Sequence, residues 1–496
     1  MGDHPGPISS HGATDDGLHG WLGSLCEAWQ QPGLSVAIVR GGQPWCSLGV
    51  GAALRQQSRT VDADTLFAAG SISKTFAAAT VGVLVDAGEI GFDDPVLRYL
   101  PSFELSDRAV TRAVTIRDLL ANRVGVESSE GRHRRAAHSN RDLIRRMARQ
   151  RFRHEFRHGF GYCSDTFTCV GAIVEEVTGT DWESFARQSI WQPLAMHRTN
   201  ANHHAARSDP NSAAPHLFYG SPGIPIPAQW AYEERAATPA GGVNSSANDL
   251  ALWICTLLGG GRLQGVRVLQ EQTVRALFEP QTPEIGPYRD DEFACVLGHG
   301  EAGVQDPAYG MGWYRHRYQG ETVCYHTGAI DGFRSILGLV PDKGVGIVVL
   351  ANADNHFLPR AVFQSLLDAE LGLPEVDWSQ RFLTHQSQLT LHSPRASAAT
   401  ASPEAQPCPV PLAQLCGDYL DETGFGKGTV ALEDDSLVLT VGEVSYRLVH
   451  TNGLCFAASY RPPYAPTQPF SVEWSLAAGG ETERFVSTQR ACFVRR

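Results

Sequence analysis

Strand patterns gather at two distant places in this chain: residues 34–39 and 45–50 near its start, and residues 309–314, 324–327, 334–341 and 346–351 far downstream. Helical patterns fill most of the interval, among them 115–121, 164–178, 182–190 and 247–258. Apolar strands need neighbours, so the late strands are expected to return and pair with the early ones. The expected fold is α/β (α+β): one antiparallel sheet completed from both ends, flanked by helices, with a helical lobe inserted at about residues 90–280. A capped amphipathic helix over 15–30 carries Leu18, Trp21, Leu22, Leu25 and Trp29 on one side, and a last helix over 359–371 stops at Gly372.

A chain of 496 residues is long enough for two or three domains. Residues 386–411 are rich in Ser, Ala, Pro and Gln, the composition of a flexible linker. Beyond them, 428–433 and 437–441 alternate as strands around Asp434-Asp435-Ser436, a hairpin, and short strands continue to Arg496. The expected division is a main domain over 1–385, a linker over 386–411 and a small all-β domain over 412–496.

The net charge of -12 argues against nucleic acid and against an anionic membrane surface as the partner. No apolar run approaches the roughly 20 residues of a membrane-spanning helix. Residues 1–20 are polar and lack the basic and apolar regions of a signal peptide. The 11 cysteines are scattered singly, with no CxxC and no Cys/His ligand spacing. That pattern suits neither a disulfide framework nor a structural zinc site, and fits reduced thiols in the cytoplasm. No metal and no cofactor is expected.

The stretch Gly70-Ser71-Ile72-Ser73-Lys74-Thr75-Phe76 carries the chemistry. A helix is expected from Ser71 to about Ala87, with Gly88 at its C-terminus, and the three-residue spacing puts Ser71 and Lys74 on one face. A serine hydroxyl is a poor nucleophile until a base takes its proton. A lysine held neutral by burial and neighbouring positive charge can be that base. The helix N-terminus adds partial positive charge where negative charge develops.

Other stretches accompany it: Phe160-Gly161-Tyr162-Cys163-Ser164, the segment from Pro239 to Leu250, Tyr309-Gly310-Met311-Gly312-Trp313, and His326-Thr327-Gly328 followed by Phe333-Arg334-Ser335. Over about residues 32–371 these motifs resemble, in order, the superfamily of class C β-lactamases, penicillin-binding proteins and serine esterases, D-aminopeptidase-like members included. Gly417-Asp418-Tyr419 and residues 429–441 resemble the small lipocalin-like β barrel that follows this domain in longer members. The resemblance implies a β-lactamase/transpeptidase-like fold with Ser71 as nucleophile, Lys74 as its base and Tyr162 as the group that passes the proton to the leaving group. It also implies an oxyanion hole made by the backbone N–H groups of Ser71 and Ala329, an arrangement that is often worth several kcal/mol.

Two positions depart from that pattern. Ser164 stands where the family has asparagine, and its shorter side chain is expected to lose the contact with the lysine or to bridge it by water. His326 stands where the family has a lysine that faces a substrate carboxylate; a histidine is not charged by default at neutral pH. Both changes point away from β-lactams and towards small acyl esters or D-residue-containing peptides. His326 and Ser164 are nonetheless expected on the substrate side of the cleft. Cys163 is expected to be a buried structural thiol.

Residues 132–158 hold about ten arginines and lead directly into Tyr162. They suit a solvated helix face, or a surface for a carboxylate, a phosphate or an acidic carrier protein. His154 and His158 have no carboxylate motif to make them metal ligands. Three functions share one acyl-enzyme: a hydrolase of esters or amides, an acyltransferase or penicillin-binding-protein-type thioesterase or peptide cyclase, and a β-lactam sensor without turnover. The partner is a small molecule or peptide substrate; the oligomeric state is not legible.

Overall fold

The computed structural model describes residues 15–55, 59–128, 139–218, 225–227, 238–283, 296–297, 303–330, 332–354, 357–391, 407–421, 426–441, 444–460, 470–477, 479, 481–487 and 492–495. Within this range the early and late strands meet. Strands β1 (Gly33–Arg40) and β2 (Gln43–Gly51) come from the start. Strands β3 (Thr282–Pro283), β4 (Val304–Tyr309), β5 (Tyr314–Tyr318), β6 (Glu321–Ile330), β7 (Phe333–Val340) and β8 (Val345–Ala351) come from the far end. They form one sheet in the order β2-β1-β8-β7-β6-β5-β4-β3. Strand β1 is antiparallel to β8, with Leu34 opposite Ala351 and Val39 opposite Gly346.

Every residue of β8 is buried because both faces of the sheet are covered. Val348 and Leu350 join one core, with the buried helix Ser73–Asp86 and the helical lobe. Ile347 and Val349 join the other, with Leu18, Leu22 and Leu25 of the first helix (Asp15–Ala28) and Phe363 and Leu366 of the helix Leu358–Glu370. The two-residue period of a strand thus divides one apolar run between two cores.

Three expectations are corrected. Residues 309–314 do not form a strand: Tyr309 ends β4, Tyr314 opens β5, and the chain turns between them at Gly312, whose φ is +79°. Ser71 precedes the α-helix in a 3-10 turn, Gly70–Ile72, and the helix itself runs Ser73–Asp86. A further helix, Trp378–Leu391, follows Gly372, so the expected linker opens inside a helix. Gln- and Ser-rich composition hid it; Trp378 and Phe382 anchor it in the second core. The rest of that linker over 392–406 lies outside the described residues, as do residues 1–14 and Arg132, Arg134 and Arg135.

After the linker, eight strands from Gly417–Asp421 to Cys492–Arg495 close into an antiparallel barrel. Tyr419, Phe456, Trp474, Phe485 and Phe493 fill its interior, as a barrel of eight strands allows. Asp434 and Asp435 make the expected hairpin turn with φ of +45° and +57°, the left-handed pair that matches strand twist. Among the described residues, no helix is long and apolar enough to cross a membrane.

Candidate active site

Ser71 sits in a turn gripped from two sides. Ser73 Oγ donates to Gly70 O at 2.6 Å and accepts from Val243 N–H at 2.9 Å, while Ala69 N–H donates to Val243 O at 2.8 Å. From the sheet, Ser335 Oγ donates to Ala69 O at 2.8 Å. Strand β6 approaches so closely that a Cβ on Gly328 would overlap Ala69 O, and one on Gly70 would stand 2.9 Å from Ala329 N. Glycine is required where two backbones meet this way.

Lys74 is fully buried one turn along. Its Nζ lies 3.1 Å from Ser71 Oγ, 3.2 Å from Ser164 Oγ and 2.6 Å from Ala240 O. A carbonyl oxygen only accepts, so one amine N–H goes to Ala240. In its neutral form the amine can donate to Ala240 and Ser164 and keep its lone pair for the Ser71 hydroxyl; in its charged form it can donate to all three. The expectation that Ser164 is too short to reach the lysine is corrected: the helix Ser164–Thr178 begins close enough for the hydroxyl itself to make the contact.

Tyr162 stands just before that helix, half-buried, with Lys74 Nζ 4.8 Å from its ring centroid. Its ring lies nearly parallel to Tyr314, with centroids 6.4 Å apart and planes 12° from parallel. Phe160, Tyr309 and Tyr314 extend this aromatic wall: Tyr309 is 4.9 Å from Phe160 and 4.8 Å from Tyr314 between centroids. Burial raises the Tyr309 phenol well above its ordinary value, with the nearby Tyr162 adding to it.

His326 lies beside this wall with its side chain enclosed. Its Nδ1 is 2.7 Å from Thr327 O, which can only accept, so Nδ1 carries the proton. Its Nε2, 3.2 Å from the Tyr309 hydroxyl, then accepts from that O–H. Burial, and then the Lys74 charge, push the imidazole down to about 3, so it is neutral at pH 7.

Ala329 is exposed on β6. The β5–β6 pairing ends at Tyr314 opposite Tyr325, so residues 326–330 have an edge with no β5 partner, and this stretch of β6 runs past Gly70. The fixed N–H of Ala329 and that of Ser71 are the two oxyanion donors that the resemblance implies. Ser71, Lys74, Ser164 and Ala329 therefore lie close together, with Ser71 half-buried and Ala329 exposed.

Cys163 is buried, and burial and Asp165 push its thiol above the ordinary range, so it is not a thiolate at neutral pH. Among the described residues no group of His, Cys, Asp and Glu side chains could hold a metal. In the arginine-rich segment, Arg141, Arg145, Arg149, Arg151 and Arg153 are exposed, whereas Arg146 pairs with Asp142 and Arg157 with the buried Asp118. Sequence reasoning missed Ala240, which acts through its main chain, and Asn122 and Tyr309, which lie beneath the site.

The family model described as Beta-lactamase matches residues 24–369. The chain is 28% identical over 414 residues to "Unguisins hydrolase ungD'" of Aspergillus campestris (strain IBT 28561), covering 79% of this chain and 73% of that one. It is 28% identical over 404 residues to "Penicillin-binding protein 4" of Amycolatopsis lactamdurans, covering 79% and 94% respectively. Among solved structures, the octameric penicillin-binding protein homologue from Pyrococcus abyssi is similar in fold, with a TM-score of 0.64 at 18% identity, over 97% of this chain and 100% of that one.

Proposed function

This chain belongs to the beta-lactamase family, and on that premise we propose that it is a serine hydrolase that cleaves small acyl esters or D-residue-containing peptides through an acyl-enzyme on Ser71. The observation that carries the reading is the buried Lys74 amine, 3.1 Å from Ser71 Oγ and tied at 2.6 Å to Ala240 O.

The Ser71 proton passes to the Lys74 lone pair as Oγ forms a bond to the acyl carbon. The tetrahedral oxyanion is held by the Ser71 and Ala329 N–H groups. Collapse breaks the bond to the leaving group, which takes a proton from Tyr162, and Tyr162 recovers one from Lys74. Water then attacks the acyl carbon as Lys74 takes its proton; collapse breaks the ester bond to Ser71 Oγ, which recovers that proton as the acid product leaves. A neutral, enclosed His326 offers no charge to a substrate carboxylate, which supports esters, and peptides without a recognised carboxylate, over β-lactams. The relatives named as hydrolases support hydrolysis as the outcome.

Ser71→Ala, Lys74→Ala and Tyr162→Phe are each expected to abolish turnover of an alkyl ester while thermal unfolding stays near that of the parent chain. Retained turnover in Ser71→Ala removes the nucleophile assignment.

A second reading, acyl transfer from a donor tethered to an acidic carrier protein, is favoured by the arginines. Arg151 and Arg153 lie on a segment laced to residues 125–127, through Glu127 N–H to Arg151 O at 2.8 Å and Arg153 N–H to Gly125 O at 2.7 Å, and the chain then continues into Tyr162. Added amine that yields a new product, together with rates that fall with salt, supports this reading; hydrolysis alone, unaffected by salt, supports the first.

A further inference from the structure

Two main-chain amides flank Tyr162, and one residue holds both. Gly161 N–H donates to Asn122 O at 2.9 Å. Cys163 N–H donates to Asn122 Oδ1 at 2.9 Å. We propose that Asn122 is the positioning residue of Tyr162, fixing the phenol where it meets the leaving group. The inference rests on the reading of Tyr162 as the proton relay.

Asn122 is built for this place. Its φ is +52°, a left-handed conformation that asparagine adopts more readily than most residues. It is 1% exposed, so water does not compete for its bonds. The Cys163 N–H is one of the donors left over at the start of the helix Ser164–Thr178, and Cys163 provides no side-chain cap of its own. The Asn122 oxygen supplies the acceptor from 41 residues away. Because Cys163 N–H needs an acceptor, the amide orientation follows: Oδ1 faces Cys163.

The clamp is itself anchored. Asn122 follows the helix Ile116–Leu120, whose Leu119 O accepts from Thr166 Oγ1 at 3.1 Å, tying that helix to the one after Tyr162. The next residue, Arg123, donates to the buried Asp118 carboxylate, and Arg157 N–H donates to Arg123 O at 2.9 Å. The remaining atom, Asn122 Nδ2, is buried and makes no hydrogen bond among the described residues.

A misplaced proton donor hurts some substrates more than others. A p-nitrophenyl ester leaves as a stable phenolate and needs little protonation. An ethyl ester leaves as an alkoxide and needs the proton. The test compares kcat/KM for the two esters of one acid, which reports acylation. Asn122→Gly removes the side-chain acceptor without adding strain at positive φ. It is expected to lower kcat/KM for the ethyl ester at least about tenfold more than for the p-nitrophenyl ester. Asn122→Asp keeps an oxygen for Cys163 N–H and is expected to return the ratio close to that of the parent chain. Equal losses on both esters, or an unchanged ratio in Asn122→Gly, overturn the proposal. If Asn122→Gly fails to fold, Asn122→Ala, which also lacks the acceptor for Cys163 N–H, is read in its place: a selective loss on the ethyl ester upholds the proposal, and equal losses or an unchanged ratio overturn it. A parental ester ratio in Tyr162→Phe marks failure of the underlying reading instead.

Discussion

Gly171 and Pro239 meet where no side chain fits between them: a Cβ on Gly171 would overlap the Pro239 ring. Pro239 precedes Ala240, whose carbonyl oxygen holds Lys74 Nζ at 2.6 Å. A glycine in mid-helix is unfavourable by itself. Here it lets the 238–243 segment come down onto the lysine.

Gly171→Ala should therefore move Ala240 O and loosen Lys74. A displacement of this kind costs up to about a hundredfold in kcat/KM. Helix propensity alone would stabilise the variant by about 1 kcal/mol, but overpacking against Pro239 costs about 1–3 kcal/mol. Activity and melting temperature are expected to fall together; a more stable, fully active variant would show that the contact does not matter.

Ser164 and Lys74 separate by magnitude. Lys74→Ala removes the base and is expected to abolish measurable turnover. Ser164→Ala leaves Lys74 tied to Ala240 O and close to Ser71. Its loss should be about tenfold or less, that of one neutral hydrogen bond. Steady-state ester hydrolysis on the two variants checks the order, and Ser164→Ala matching Lys74→Ala would reverse it.

Acid should destabilise the fold through its buried histidines. Burial lowers His316 from 6.5 to about 4 and His326 to about 3. Between those values and 6.5 the unfolded chain binds protons that the folded chain refuses. Stability is thus full above about 6.5 and falls as pH drops, by up to about 1.4 kcal/mol per pH unit for each histidine. His316 packs 5.1 Å from Tyr325. In His316→Phe the slope of unfolding free energy between pH 6.5 and 4.5 should be shallower by one proton; an unchanged slope would mean that His316 titrates freely.

Arg334 pairs with the fully buried Asp354 and also donates to Phe333 O at 2.9 Å, on the strand position opposite Ala329. Asp354→Asn leaves a largely buried guanidinium without its counter-charge, a change that costs about 3–5 kcal/mol. Urea unfolding should show that loss. The double replacement Arg334→Met with Asp354→Leu should recover most of it, and no recovery would point to a loss of packing instead of an uncompensated charge.

Much of this architecture was legible because it rests on periodicity. The helices 164–178 and 247–258 and the strands 334–341 and 346–351 follow from apolar spacing, and the return of the late strands follows from their need for partners. The pairing of Ser71 with Lys74 followed from a three-residue spacing. Residues 309–314 misled because aromatic content favours a strand while Gly310 and Gly312 turn the chain. The enclosure of His326 was hidden because sequence does not say which side of a strand end is covered. The contact between Ser164 and Lys74 spans 90 residues, and no local pattern encodes it. Ala240 works through a carbonyl that every residue has, and Asn122 stands alone between a helix and a loop. Neither offers a motif to find.

The most direct test of the central claim is the mass of the intact chain during turnover of a slow ester. The expected result is a transient gain equal to the acyl group, mapped by peptide fragmentation to Ser71 and absent in Ser71→Ala. An adduct on another residue, or turnover by Ser71→Ala with no adduct at all, would contradict the account.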